Sequence, residues 1–266
     1  MKTLVLIKYS FDVAEIKVDP ASKEIRLAGV PEKIGNIDRN AVEAAVRLKE
    51  KQGGALTALC LGPEAARDAF RDVLAMGVDD ATLVVDPGAN QGDASAVVIL
   101  LEAAIRKLGA FDLILCGFAS DDGYTYQVGP RLAERLGLPL VSYARQMSIE
   151  DGILHADRDL DDRLQSVAVS LPALVSVAEE AFPPRRTTLM DAIKAKKKPV
   201  TIWQAAEALG ISAADLDGRR TSVTTGQTGI VVHRKQVLFK GTDLAEVADR
   251  VIDVLVQDQV FKEGAQ

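Results

Sequence analysis

The stretch from Leu113 to Pro130, LILCGFASDDGYTYQVGP, has the residue types and order that suit binding of a phosphorylated ligand. Ile114, Leu115 and Cys116 close a short apolar run of the kind that forms a buried strand. Gly117 then lets the backbone turn without a Cβ clash. Ser120, Asp121, Asp122 and Gly123 make a polar turn, and the pattern predicts a helix starting at Tyr124. A strand, a glycine turn and a helix N-terminus present free amide N–H groups and a positive dipole end to phosphate. In open parallel sheets, nucleotides bind at such places. An ordinary strand-to-helix loop has a similar composition, so the rest of the chain has to decide.

The other reactive side chains favour no catalytic centre. The two histidines, His155 and His233, have no serine, cysteine or HxxE arrangement that makes either a base or a ligand. Cys60 and Cys116 end apolar strands far apart and lack a CxxC partner, so buried structural thiols are expected. Asp157, Asp159, Asp161 and Asp162 alternate with Arg158 and Arg163, which predicts a self-paired, solvated turn rather than a metal site. Neither a GxxxxGK phosphate loop nor a GxGxxG fingerprint occurs. Lys194, Lys196, Lys197 and Lys198 form the dense basic run of an acidic chain. One reading is a solvated helix end. The other is an exposed loop that presents Leu189 to an acidic partner, favoured by the preceding Pro183-Pro184 and Leu189-Met190.

The elements that position these residues follow from periodicity. The chain has 266 residues, 48% of them apolar and 26% charged, enough for one large domain with an extension. A net charge of −6 and a pI near 5.1 argue against general nucleic-acid binding. No apolar run approaches the roughly 18 residues of a membrane span, and strand Thr3–Ile7 begins at once with no signal segment, so a cytoplasmic protein is expected. Leu4–Ile7, Leu56–Leu61, Ala81–Val85 and Leu113–Cys116 read as buried strands. A polar break at Lys8–Asp12 and a small hairpin of Ile16–Val18 and Ile25–Leu27 follow the first of them. Helices are expected from an Asp38 N-cap to about Lys51, from Gly62-Pro63 to Gly77, and from an Asp93 cap to Leu108. This alternation specifies an α/β fold, a doubly wound, Rossmann-like parallel sheet with right-handed crossovers.

After Gly137 the pattern changes. Leu140–Ser148, Ile153–Ala156, Gln165–Ser170 and Ala173–Val177 read as an antiparallel addition to the sheet edge, with a turn at Asp151-Gly152. A short helix is expected at Thr201–Leu209 and an amphipathic one at Leu244–Leu255. Between them, residues 210–242 lack a core pattern apart from Ile230–Val232, and such a tail usually wraps a partner. The expected organisation is a nucleotide-binding domain over 1–182, a partner-recognition loop over 183–199 and a C-terminal arm over 200–266.

Five blocks stand out in order: AVEAAVRLKEK (Ala41–Lys51), LGPEAARDAFRDVLAMG (Leu61–Gly77), DLILCG (Asp112–Gly117), DDGYTYQVGP (Asp121–Pro130) and TLMDAIKAKKKP (Thr188–Pro199). In them, and over almost its whole length, the chain resembles the β subunit of electron transfer flavoproteins. RDLDDRLQSVAVSLPALVSV (Arg158–Val177) matches the family's diagnostic stretch, with its acidic pair, glutamine and following proline. Arg163 departs from the family pattern, where a small or acidic residue is usual. So does Lys8-Tyr9-Ser10-Phe11-Asp12, which replaces a loop lying near nucleotide and flavin.

The resemblance implies an electron carrier rather than a classical enzyme. Such a β subunit packs over the FAD of an α subunit, and the heterodimer passes electrons from acyl-CoA or similar dehydrogenases to a quinone-linked acceptor. It also implies one adenine nucleotide within this chain, AMP in ordinary members or a second FAD in NADH-oxidising, electron-bifurcating ones. The cofactor residues expected are Leu6, Ile7 and Lys8, the turn Gly35, Asn36, Ile37 and Asp38, Leu61, and Gly117 with Asp122, Gly123, Tyr124, Thr125, Tyr126, Gln127 and Val128. Adenine would rest on Leu6 and Leu61, and phosphate would meet the amides of Tyr124–Val128. Partner recognition is expected at Leu189, Lys194, Lys196, Lys197 and Lys198. Thr125 and Gln127–Pro130 follow the T-x-Q-V-G-P pattern of bifurcating members, whereas Tyr124 and Tyr126 replace their aspartate and alanine. AMP is the favoured occupant. An adenine-nucleotide-binding signalling module or hydrolase, and a purely structural subunit, are the alternatives of other classes.

Overall fold

The computed structural model describes residues 1–86, 88, 93–216 and 235–260. Strand β1 (Lys2–Ile7) leads into β2 (Tyr9–Phe11), the hairpin of β3 (Lys17–Val18) and β4 (Ile25–Arg26), β5 (Glu32–Ile34) and helix α1 (Asn36–Gln52). Strands and helices then alternate through β6 (Ala55–Gly62), α2 (Ala66–Met76), β7 (Asp80–Val85), α3 (Ala94–Leu108), β8 (Leu113–Gly117) and α4 (Val128–Leu136). Next come β9 (Leu140–Glu150), β10 (Ile153–Leu160), β11 (Arg163–Ser170) and β12 (Ala173–Val177). The described elements end with α5 (Leu189–Ala195), β13 (Val200–Gln204), α6 (Ala205–Leu209), α7 (Ala213–Leu216) and α8 (Leu244–Gln257).

One 9-stranded sheet has the order β11-β10-β9-β12-β8-β1-β6-β7-β13. Every pair from β9 across to β13 is parallel. The β10–β11 hairpin extends one edge antiparallel. Side chains alternate across this sheet and feed two cores. Val5, Ile7, Ala58 and Leu115 pack with Val42 and Ala45 of α1 and Phe70 and Val73 of α2. Leu4, Leu6, Leu59 and Ile114 pack with Leu101 and Ala104 of α3 and Leu132 of α4. Burial on both faces is why these strands read as continuous apolar runs. Among the described residues, no helix is long and apolar enough to cross a membrane.

Several expectations are corrected. Ala173–Val177 is not an antiparallel edge strand: β12 lies inside the sheet, parallel to both β8 and β9, and all five residues are buried. β9 runs to Glu150 and is antiparallel only to β10. Thr201–Leu209 is not one helix, because Val200–Gln204 pairs in parallel register with β7 and only Ala205–Leu209 is helical. Lys8–Asp12 is not merely a break, since β2 pairs antiparallel with β5. Gly35, not Asp38, is the N-cap of α1, which puts Asp38 inside the first turn. Pro63 lies outside the first turn of α2, three residues before the helix starts at Ala66. No helix starts at Tyr124, because Tyr124 and Tyr126 have φ of 45° and 61° and α4 begins at Val128. His233 and the Ile230–Val232 run lie outside the described residues.

The basic run is also divided. Leu189–Ala195 is a helix rather than a loop, started by a capping box of Thr188 and Asp191. Lys194, Lys196 and Lys197 are exposed, but Lys198 is not a steering residue. Its Nζ donates to the carbonyls of Leu74 (2.8 Å) and Val78 (2.5 Å) at the C-terminal end of α2, and burial pushes its pKa down. There it satisfies carbonyls at a helix end where cations are favoured. Lys198→Met is therefore expected to lower stability by about 1 kcal/mol in a denaturant titration. An unchanged midpoint would remove this structural role.

Candidate functional site

A cavity of about 520 Å³ opens at the carboxyl ends of β1, β6 and β8. Its position follows from the winding of the sheet. Helix α1 carries the chain from β1 to the neighbouring β6 on one face, while α3 carries it from β7 back to β8 on the other. The strand order therefore switches direction between β1 and β8, where crevices form in such sheets. Leu6, Ile7, Lys8 and Leu61 line it from the strand ends, with Asp38 from α1. Gly117, Gly123, Thr125, Tyr126, Gln127 and Val128 line it from the β8–α4 connection. The cavity thus brings together eleven of the sequence-expected cofactor residues, the eleven just named.

The other five do not line it. Gly35, Asn36 and Ile37 stand behind the connection, Asp122 pairs with Lys8, and the Tyr124 hydroxyl donates to Glu179 at 3.3 Å. The wall also takes Phe118, Ala119 and Ser120 from the expected Gly117–Val128 turn, and it has contributors that sequence reasoning missed: Asp93, Ala94 and Val97 of α3, Arg131 and Gly129 of α4, and Cys116. Asp93 had been legible as a helix cap and Cys116 as a strand end, but no motif links either to a ligand. The Arg131 guanidinium donates to Ser95 Oγ at 2.6 Å across the α3–α4 seam.

Two features set the electrostatics. Asp38 is buried and accepts the Lys8 backbone N–H at 2.8 Å. Burial, with the nearby Asp121 and Asp122 carboxylates, raises its pKa to about 7 against the pull of the Lys8 amide. The Lys8 ammonium reaches Asp122 at 2.7 Å and outweighs the upward push of burial there, holding that carboxyl below its usual value. Gly117 is required by space: a Cβ would lie 2.6 Å from Ile37 Cγ2 and 2.9 Å from Asp38 Oδ1. Beside it, Phe118 packs against Tyr124 and Tyr126 at 5.6 Å and Tyr143 at 5.9 Å between ring centroids.

The Asp38 shift has a measurable sign. A carboxyl whose folded pKa is raised favours the fold below its unfolded value of 3.8, and that advantage is lost as pH rises towards about 7. Asp38→Asn keeps an acceptor for the Lys8 amide without the charge. It is expected to match the parent in Tm near pH 4 and to exceed it at about pH 8. Parallel Tm curves would show that Asp38 is not held neutral.

The remaining candidates behave differently. The thiols of Cys60 and Cys116 are buried, and burial pushes both up to about 12, as suits structural cysteines. His155 lies in the β10 ladder between Ser148 and Ala168. In the acidic cluster, Asp159 pairs with Arg145 at 2.9 Å and Asp162 with Arg163 at 3.2 Å. Arg158 instead donates to Ser142 and Gln165, so its expected offset of the cluster is corrected. Among the described residues, no group of three or more His, Cys, Asp or Glu is placed to hold a metal ion. On α5, Leu189 is 78% exposed, beside Met190 at 59% and Ile193 at 44%.

A family model described as the electron transfer flavoprotein domain matches residues 25–208. The β subunit of the electron transfer flavoprotein of Megasphaera elsdenii is 32% identical, covering 98% of this chain and 100% of the relative. That of Thermoanaerobacterium thermosaccharolyticum is 39% identical over 206 residues, 77% of this chain and 79% of the relative. Subunit CarD of the caffeyl-CoA reductase-Etf complex of Acetobacterium woodii is 31% identical over 98% of this chain and 100% of the relative.

Proposed function

The chain belongs to the electron transfer flavoprotein β-subunit family, and on that premise we propose that it holds AMP in the 520 Å³ cavity while packing over the FAD of an α subunit. The heterodimer takes electrons from an acyl-CoA or similar dehydrogenase and passes them to a quinone-linked acceptor. One relative is named as a subunit of a caffeyl-CoA reductase-Etf complex, in which the CoA ester is the electron acceptor. This likeness supports CoA-ester redox chemistry without favouring a CoA-ester donor. The FAD supplies the electron storage, and this chain's residues bind, orient and cover.

One observation carries the choice of a mononucleotide. Three helix N-termini approach the crevice. That of α1 is filled by the Asp121 carboxylate, and that of α3 by the side chain of Asp93, which accepts the Ser95 N–H. Among the described residues no side chain caps α4, whose N-terminus meets the cavity at Gln127 and Val128. A single phosphate group fits this single open end. Leu6 and Leu61 supply the apolar floor for the adenine ring.

The T-x-Q-V-G-P pattern at Thr125–Pro130 favours a second reading, a second FAD in place of AMP and oxidation of NADH. Against it, the Tyr126 ring occupies the cavity wall, packed on Phe118. Extraction of the purified heterodimer decides: one FAD and one AMP per αβ pair are expected. Two FAD per pair, with NADH-driven reduction of a low-potential acceptor, would replace this reading by the second.

A further inference from the structure

Asp121 touches nothing in the cavity, yet it fastens the wall that closes it. The connection from β8 to α4 is exposed from Asp122 to Gln127, and its apolar packing is the ring cluster of Phe118 with Tyr124, Tyr126 and Tyr143, which does not involve Ser120–Gly123. Its tip is tied down by two adjacent carboxylates. Asp121 Oδ2 accepts the Asn36 N–H at 2.7 Å and Oδ1 accepts the Ile37 N–H at 3.3 Å, so the connection itself caps α1. Asp122 grips the Lys8 ammonium at 2.7 Å, and Lys8 in turn is held through its amide to Asp38. Ser120 and Gly123 flank this pair and both line the cavity, so the position of the tip sets the position of the wall.

Gly35 makes the fastening possible. Its φ of −58° is open to any residue, so backbone freedom is not the reason. A Cβ there would stand 2.8 Å from Asp121 Oδ2 and 3.0 Å from its Cγ. The missing methyl is the space the carboxylate occupies.

We propose that Asp121 is a positioning residue, a clasp whose bond to the α1 N-terminus governs how long the nucleotide stays in the cavity. The proposal rests on the nucleotide reading of that cavity and adds a residue outside the ligand's reach. Capping bonds to free helix amides are strong because nothing else satisfies those donors. Releasing them frees a loop, and an unfastened loop opens far more often than the core around it.

The test uses the αβ heterodimer with Asp121→Ala, Asp121→Asn and Gly35→Ala, each loaded with labelled AMP and chased with unlabelled AMP. Asp121→Ala and Gly35→Ala are expected to speed release by about tenfold while the association rate constant stays within twofold, about the effect of losing one charge-assisted bond. Asp121→Asn retains one acceptor and is expected to recover part of the loss. Release at the parental rate in both Asp121→Ala and Gly35→Ala would overturn the clasp with the nucleotide reading intact. Amide hydrogen exchange in ligand-free heterodimer separates the two ideas. Slow exchange at Asn36 and Ile37 that becomes fast in Asp121→Ala supports the clasp, and fast exchange at both in the parent overturns it. A parent that binds no AMP overturns the nucleotide reading and the residence claim together.

Discussion

Leu189→Ala is expected to slow electron transfer from the donor dehydrogenase by roughly tenfold to a hundredfold, with flavin and nucleotide content unchanged. The leucine is 78% exposed on the first turn of α5, so its removal takes no packing from the core. Thr188 and Asp191 hold that turn through reciprocal bonds of 2.9 and 3.2 Å, and alanine is a good helix former, so the platform survives. What disappears is an apolar side chain available for burial against a partner, worth about 1.5–3 kcal/mol when fully covered. Stopped-flow reduction of the heterodimer by the dehydrogenase reads the effect as a raised half-saturation concentration. Charge reversal at Lys194, Lys196 or Lys197 is expected to change the encounter rate and its salt dependence instead. Unaltered kinetics in Leu189→Ala would move the docking surface elsewhere.

How far the sequence disclosed this arrangement depends on what each residue has to satisfy locally. Leu4–Ile7, Leu56–Leu61 and Leu113–Cys116 are buried on both faces, so their apolar runs announce strands of a parallel sheet. Ala173–Val177 carries the same mark of continuous burial. Its place in the sheet was hidden because direction depends on where the β10–β11 hairpin swings out, which no local pattern encodes. Among the described residues Val200–Gln204 finds only β7 as a neighbour, and its mixed composition with a helix-like sequel reads as helical throughout. At the cavity, the strand ends and the glycine turn were legible from their own chemistry. Asp93 and Arg131 were not, because they reach the cavity from the first turns of helices packed on the opposite face. Asp121 looked like one more acidic turn residue. Its partners, the Asn36 and Ile37 amides beside the Cβ-free Gly35, lie far off in sequence.

Arg185→Ala is expected to cost about 2–3 kcal/mol of stability, a drop in Tm of roughly 5–10 °C, because it strips the main partner from a buried carboxylate. Glu43 on α1 is only 2% exposed. Arg185 donates to it through Nε at 2.8 Å, Nη2 at 3.3 Å and its backbone N–H at 3.2 Å, and through Nη1 to Glu50 at 2.5 Å. Burial pushes the Glu43 pKa up, but these bonds, with Arg47 at 2.7 Å, outweigh it and hold the carboxyl below its usual value. The sign follows. A depressed folded pKa gives stability that is present above the unfolded carboxylate value and lost as pH falls through the folded one. Without Arg185 burial dominates, the folded pKa rises instead, and stability is lost as pH increases. The Tm gap between parent and variant should therefore widen from about pH 4 to pH 7. Arg185→Lys keeps the charge without the planar fork that spans Glu43 and Glu50, so partial recovery is expected. Thermal unfolding across that pH range checks both, and a gap constant with pH would mean that Glu43 is carried by Arg47 alone. Because Arg185 also pins the backbone leading into Thr188 and α5, donor electron transfer should fall in Arg185→Ala even where the fold is intact.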